Sequence, residues 1–229
     1  MHIPDGYLSP QTYIPIYGIM VPFWGMALKK VKNVLTSNYV PYIAMSSVFS
    51  FLIMLFNIPI PGGTTGHAVG AGLIAIILGP WVAVISISIV LVIQALLFGD
   101  GGITALAANC LNMAVIMPFT SYFIFKLING TSKSKTRINI SSFAAGYIGL
   151  LIAALATAFE LGIQPIIAKG EDGLPLYAPY PLSIAIPVMA LEHLFIFSVV
   201  EGLITMAVVS YFLKYEPESI YGLKSNFSL

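Results

Sequence analysis

Residues 81–98, WVAVISISIVLVIQALLF, carry no charged side chain. A bilayer core of ~30 Å is crossed by ~20 apolar helical residues, so this stretch alone predicts a membrane-spanning helix. Reading outward, further apolar spans fall at roughly 11–28, 39–57, 66–79, 105–127, 142–166 and 182–213. The whole chain is 58% hydrophobic and 8% charged, with a mean hydropathy of +0.93. A soluble domain carries roughly 25% charged residues. The predicted fold class is therefore all-α: a polytopic membrane helix bundle of about seven transmembrane helices, forming one domain over residues 1–229.

The spans are unequal. The third opens at Gly66-His67 and closes at Gly79-Pro80, and its ~14 residues would rise only ~21 Å. The seventh is long enough to overshoot the core, so it should tilt or project beyond it. The first contains Pro15 and Pro22, tolerated in a membrane helix when neighbouring helices satisfy the freed carbonyls. No two spans show an internal repeat. The small-residue spacings Gly66-x-x-x-Gly70, Ala145-x-x-x-Gly149 and Ala154-x-x-x-Ala158 permit close helix crossing, either within the bundle or against a partner.

Basic residues set the orientation. Lys29, Lys30 and Lys32 follow the first span, Lys126, Lys133, Lys135 and Arg137 the fifth, and Lys214 and Lys224 the seventh. With seven spans and the N-terminus outside, these nine fall on the cytoplasmic side, and Lys169, beside Glu171 and Asp172, faces out. The expected arrangement is N-terminus outside, C-terminus cytoplasmic, in a cell (plasma) membrane. Met1–Ser9 and the segment from Ile60 to His67 then lie on the outer face. The opening MHIPDGYLSP has no positive n-region, and lysines rather than a cleavage site follow the first apolar stretch; the N-terminus is expected to survive.

The net charge of +1 and the lack of a basic patch interleaved with aromatics give no sign of nucleic acid. The single Cys110 excludes a disulfide within the chain and reads as a small packing residue. Histidine is scarce: His2, His67 and His193. A chain that begins Met1-His2 offers three nitrogens from two residues: the α-amine, the His2 amide and the His2 imidazole. They close five- and six-membered chelate rings around one ion. One more imidazole would complete a planar four-nitrogen set, the geometry that Ni(II) and Cu(II) prefer and tetrahedral zinc does not. His67, beside Gly62, Gly63 and Gly66, is the obvious fourth donor, since backbone can approach closely there. On spacing alone the simpler account is an interfacial His2 and a helix-start His67 bonded to backbone.

MHIPDGYLS at the extreme N-terminus, PGGTTGHAVGA at 61–71 and GDGGITALAANCLNM at 99–113 resemble the nickel/cobalt substrate-capture (S component) subunits of energy-coupling-factor (ECF) transporters, over most of the chain. The form Pro4-Asp-Gly-Tyr-Leu-Ser9 looks more like the nickel branch. The resemblance implies a prokaryotic substrate-binding subunit in which residues 1–10 form the chelating segment. It also implies metal ligation by the Met1 amine, the His2 amide and imidazole, and His67, with Ni(II) or Co(II) as transported ligand and no organic cofactor. The partners it implies are a transmembrane coupling subunit and two cytoplasmic ATPases.

Asp5 either orients the N-terminal loop or starts a turn with Gly6. Gln94, Asn109 and Asn112 are candidates to hydrogen-bond the ligand imidazoles or to hold helices together. Asp100 is expected in an outer loop that covers the site. Glu160, Glu192, His193 and Glu201 are costly inside a bilayer and read as packing or partner contacts, although Glu192 or His193 could line a metal path. Glu192 and Glu201, nine residues apart, lie on opposite sides of an ideal helix. No G-x-x-x-x-G-K-[ST], H-E-x-x-H or G-x-S-x-G occurs. The chain therefore lacks a P-loop, and a metal-dependent membrane enzyme is the weaker alternative. A passive divalent-metal channel is the other; it would tolerate an N-terminal extension.

Overall fold

The computed structural model describes residues 1–32, 40–60 and 64–223, most of them helical. Gly62, Gly63 and Lys224, invoked above, lie outside the described residues. Helix α1 spans Pro10–Val31 and α2 Val40–Met54. Two short strands, β1 (Ile58–Ile60) and β2 (Thr64–Gly66), pair antiparallel with Ile58 opposite Gly66. Helix α3 is Ala71–Leu78, followed by α4 (Pro80–Phe98), α5 (Leu106–Asn129), α6 (Lys135–Ile167) and α7 (Leu182–Tyr215). The last four have 19, 24, 33 and 34 residues and are long and apolar enough to cross a membrane.

Local chemistry explains several boundaries. Pro10 opens α1, where its missing N–H is no loss, and Lys29 and Lys30 close it at the negative end of the helix dipole. The third apolar span departs from expectation. Its first residues are the strand β2 and an irregular stretch, not a helix. Thr64 and Thr65 favour extended chain, and Gly70 adopts φ +77°, which L side chains avoid. The helix can start only after it, and α3 is left with eight residues, a rise of about 12 Å. The sixth helix begins at Lys135 rather than near 142. Its polar first turns continue the helix past the apolar span, and Arg137 Nε donates to the Ile128 carbonyl of α5.

Helix α6 is the centre of the bundle, packed between α5 and α7. Its small residues decide this: Ala145, Ala153, Ala154 and Ala158 are wholly buried. A side chain at Gly149 would collide with Ser121 and the Met117 carbonyl, and one at Gly146 with Thr205. These spacings therefore pack the bundle internally. Gly66 and Gly70 do not lie on a helix at all. Large apolar side chains such as Phe56, Leu97, Leu127 and Phe195 point outward, as the lipid-facing surface of a membrane bundle requires. The N-terminal segment does the opposite. Met1, Ile3 and Leu8 are buried and belong to the main core cluster.

Candidate metal centre

The chain enters the bundle from its first residue. Asn109 of α5 clamps Ile3 from both sides: the Ile3 amide donates to Asn109 Oδ1 at 2.9 Å, and Asn109 Nδ2 donates to the Ile3 carbonyl at 3.1 Å. The Gly102 amide also donates to the Ile3 carbonyl, and the Thr64 hydroxyl donates to the His2 carbonyl at 3.0 Å. Asp5 ties down the next turn, accepting from the Ile103 and Thr104 amides and the Thr104 hydroxyl. Burial works against that carboxylate, but these hydrogen bonds hold it below the ordinary range. A side chain at Gly102 would overlap Asp5 and Pro4, so this close approach requires glycine.

Three of the expected donor residues meet as a result. The Met1 amine nitrogen lies 3.1 Å from His67 Nε2 and contacts the Thr65 carbonyl. The His2 and His67 rings stack with centroids 4.7 Å apart and planes 25° from parallel. Hydrogen bonds fix which nitrogen of each ring is free. His67 Nδ1 donates to the Ala68 carbonyl at 3.0 Å, leaving the Nε2 lone pair facing the amine. His2 Nε2 donates to Gln94 Oε1 at 3.2 Å, leaving Nδ1 free; buried, it makes no hydrogen bond, although Asp100 Oδ1 stands 3.3 Å away. That free Nδ1 is the atom that closes a six-membered ring with the His2 amide. Among the described residues no group of three His, Cys, Asp or Glu side chains gathers at a point. The nitrogen donors here are two imidazoles and the chain terminus, with no carboxylate cage or thiolate cluster.

Burial keeps these nitrogens unprotonated. The Met1 amine is lowered from 8.0 to about 4 by desolvation, against the attraction of Asp100. His2 is lowered from 6.5 to about 3 by desolvation and by the neighbouring amine, against its bond to Gln94. Asp100 is raised by burial, opposed by the amine and by Asn57, whose Nδ2 donates to Asp100 Oδ2 at 3.2 Å.

The chain matches, over residues 2–219, the family described as the cobalt uptake substrate-specific transmembrane region, CbiM. It belongs to the CbiM family. It is 48% identical over 219 residues to the fused nickel transport protein NikMN of Rhodobacter capsulatus, an alignment covering 95% of this chain and 63% of that one. It is 44% identical to a putative metal transport protein of Methanocaldococcus jannaschii, covering 95% and 94%. The chain thus spans less than two thirds of NikMN and nearly all of the archaeal relative. A solved structure described as a truncated transition metal transporter superposes with a TM-score of 0.90 at 51% identity, covering 94% of this chain and 99% of that one. A CbiM-family chain with four long apolar helices is a membrane protein.

Other sequence candidates fall in different places. Of the two readings open for each, Gln94 reaches the His2 imidazole, whereas Asn109 holds backbone. Asn112 touches no imidazole, because its Nδ2 is taken by Glu160 Oε2 at 2.7 Å and the Thr157 hydroxyl. Glu160 is thereby a packing contact between α5 and α6. Cys110 is a buried free thiol. His193 bonds the Met189 carbonyl of its own helix and packs on Phe197. Glu201 is a buried anchor: its carboxylate accepts from the Val69 amide at 2.8 Å and the Gly70 amide at 3.0 Å, holding the loop that carries His67. Sequence reading passed over this role, and over Asn57, Thr64 and Thr65, because nothing local links Glu201 to residues 132 positions away.

Proposed function

We propose that this chain is the substrate-capture subunit of an ATP-driven ECF-type transporter, binding Ni(II), or Co(II), at the outer face of the cell membrane for uptake. The observation that carries the reading is the convergence of the Met1 amine and His67 Nε2 at 3.1 Å, beside a His2 Nδ1 left without a hydrogen bond. With the His2 amide nitrogen these make four nitrogens, three of them from a single two-residue chelate. A planar nitrogen set suits Ni(II), and relatives named for nickel and for cobalt transport support both metals. In this reading the chain passes the membrane seven times with its N-terminus outside, the third pass made by the extended stretch from Thr64 to Gly70 together with α3, which places nine of the ten basic residues on the cytoplasmic side. The sequence contains no P-loop motif. The engine is accordingly assigned to a transmembrane coupling subunit and two ATPases, and the chain itself is a binding subunit, not an enzyme.

The test is the metal content and absorption spectrum of detergent-purified protein with a free Met1 amine, beside the variant His2→Ala. The substitution leaves the Met1 amine and His67 in place but removes the imidazole that closes the six-membered ring. The expected result is about one nickel per chain with a square-planar spectrum in the native form, lost in the variant. Equal metal in both forms would place the site elsewhere.

A further inference from the structure

The nitrogen site answers how an ion is held but not how a hydrated dication reaches it. Met1, His2 and His67 are 0%, 3% and 1% exposed, and none of the three side chains carries a carboxylate. A desolvated pocket of nitrogen donors without a negative side chain offers no long-range attraction to a cation and no compensation for its charge. Asp100 supplies both. Its carboxylate is 22% exposed in the loop between α4 and α5, while Oδ1 lies 3.3 Å from His2 Nδ1. Because His2 Nε2 donates to Gln94, that Nδ1 is a bare lone pair. Two acceptors thus face each other at 3.3 Å with no hydrogen bond between them, close enough for one cation standing off the line between them to touch both. An ion on Nδ1 at the ~2.1 Å usual for imidazole ligation would stand within about 5.4 Å of Oδ1.

Asp5 and Asp172, also on this face, are differently engaged. Both oxygens of Asp5 are occupied by Ile103 and Thr104. Asp172 Oδ1 accepts from the Leu174 amide in the loop after α6. Asp100 has only Oδ2 held, by Asn57 on the segment between α2 and β1. Oδ1 is left aimed at His2, and Asn57 fixes the carboxylate so that it does not swing into solvent.

Building on the nitrogen site proposed above, we infer that Asp100 is the capture residue: it draws the hydrated divalent cation to the mouth, takes it as a transient oxygen ligand beside His2 Nδ1, and balances its charge as the nitrogens close around it. Asp100 acts on the rate and salt dependence of capture, whereas Met1, His2 and His67 set how firmly the ion is held. Electrostatic attraction of this kind raises association rates by tenfold or more and fades with ionic strength.

The experiment is stopped-flow binding of nickel chloride, read by intrinsic fluorescence, to full-length protein with a free Met1 amine in detergent. The native protein is compared with Asp100→Asn, Asp100→Glu and His67→Ala at low and high ionic strength. Asp100→Asn preserves shape and the Asn57 contact but removes the charge. It is expected to slow association about tenfold at low salt, with the gap narrowing at high salt, and Asp100→Glu is expected to recover most of the fast, salt-sensitive rate. Equal slowing in Asp100→Asn and Asp100→Glu would reduce Asp100 to a shape-filling residue and overturn the inference. So would native-like association in Asp100→Asn when His67→Ala no longer binds; the nitrogen site would then stand without it. If His67→Ala takes up nickel as the native protein does, the nitrogen site is misplaced and this inference falls with it.

Discussion

The Met1 amine nitrogen and His67 Nε2 lie 3.1 Å apart although 66 positions separate the residues. Each is held there by its own neighbours: Met1 by the core that buries its side chain, His67 by the hydrogen bond from Nδ1 to the Ala68 carbonyl. Two donor atoms at that spacing are about what adjacent ligands on one ion require, given metal–nitrogen bonds of ~2.0 Å. His67→Ala removes the fourth nitrogen and leaves the chelate of Met1 and His2 open on one side. Nickel affinity should fall a hundredfold or more, on the order of or beyond what losing an outer hydrogen-bond partner costs. Calorimetric titration with nickel chloride measures this directly. An unchanged affinity would remove His67 from the site.

The pH dependence has a definite sign. In the metal-free fold the amine is lowered to about 4 and His2 to about 3, both chiefly by desolvation. Near pH 7 neither holds a proton for the metal to displace, and only the His2 amide must give one up. Affinity should therefore weaken gradually across the neutral range and collapse as pH falls toward 4, where the amine and then the ring are protonated. Stability of the metal-free protein follows the same groups. Once unfolded, the amine and the ring regain their ordinary values of 8.0 and 6.5. The unfolded state then binds more protons below pH 8, and the fold loses stability as pH falls from there. Titrations and melting curves between pH 8 and pH 4 test both statements; a metal affinity flat over that range would contradict the donor set.

Gln94 sets the His2 tautomer. Its Oε1 accepts from Nε2 at 3.2 Å from within a wide, π-helical turn at Gln94–Phe98, a geometry frequent at functional sites. Gln94→Leu removes that acceptor and lets the proton settle on Nδ1, the atom the proposed site offers to the metal. Affinity should drop by 10- to 100-fold with the bundle intact. Gln94→Glu, which retains an acceptor oxygen, should bind more tightly than the leucine variant. If leucine and glutamate behave alike, Gln94 only fills space.

The helical bundle was legible because transmembrane helices satisfy their backbones internally and so write themselves as apolar runs. The runs at 81–98, 105–127 and 182–213 lie within a few residues of α4, α5 and α7. Met1, His2 and His67 could be singled out as proposed donors for a different reason: two adjacent residues would carry most of the chelate, and histidines are few. The β-hairpin at Ile58–Gly66 was hidden, since three-residue strands leave no periodicity and Gly66 resembled a helix start. The supports were hidden as well. Asn109 beneath Ile3 and Glu201 beneath Gly70 are long-range contacts made by polar residues inside otherwise apolar helices. A sequence marks such residues as costly without saying which backbone they hold.

Glu201 offers the sharpest test of that support. It lies on α7, fully buried, and its two oxygens accept from the Val69 and Gly70 amides at 2.8 to 3.1 Å. Immediately before this loop, Gly66 packs so closely on Phe197 of α7 that any side chain there would overlap the ring. Helix α7 therefore holds the His67 segment at two points. Glu201→Ala leaves two buried amides without acceptors, at roughly 1–3 kcal/mol each, and frees the loop to move His67 away from the amine. The melting temperature should fall by several degrees and nickel affinity by about tenfold. Glu201→Gln keeps one acceptor oxygen and should fall between the alanine variant and the native protein in both measurements. A stability loss with unchanged affinity would show that the loop is held in place by Phe197 and the hairpin, and that Glu201 contributes to the fold without positioning the ligand.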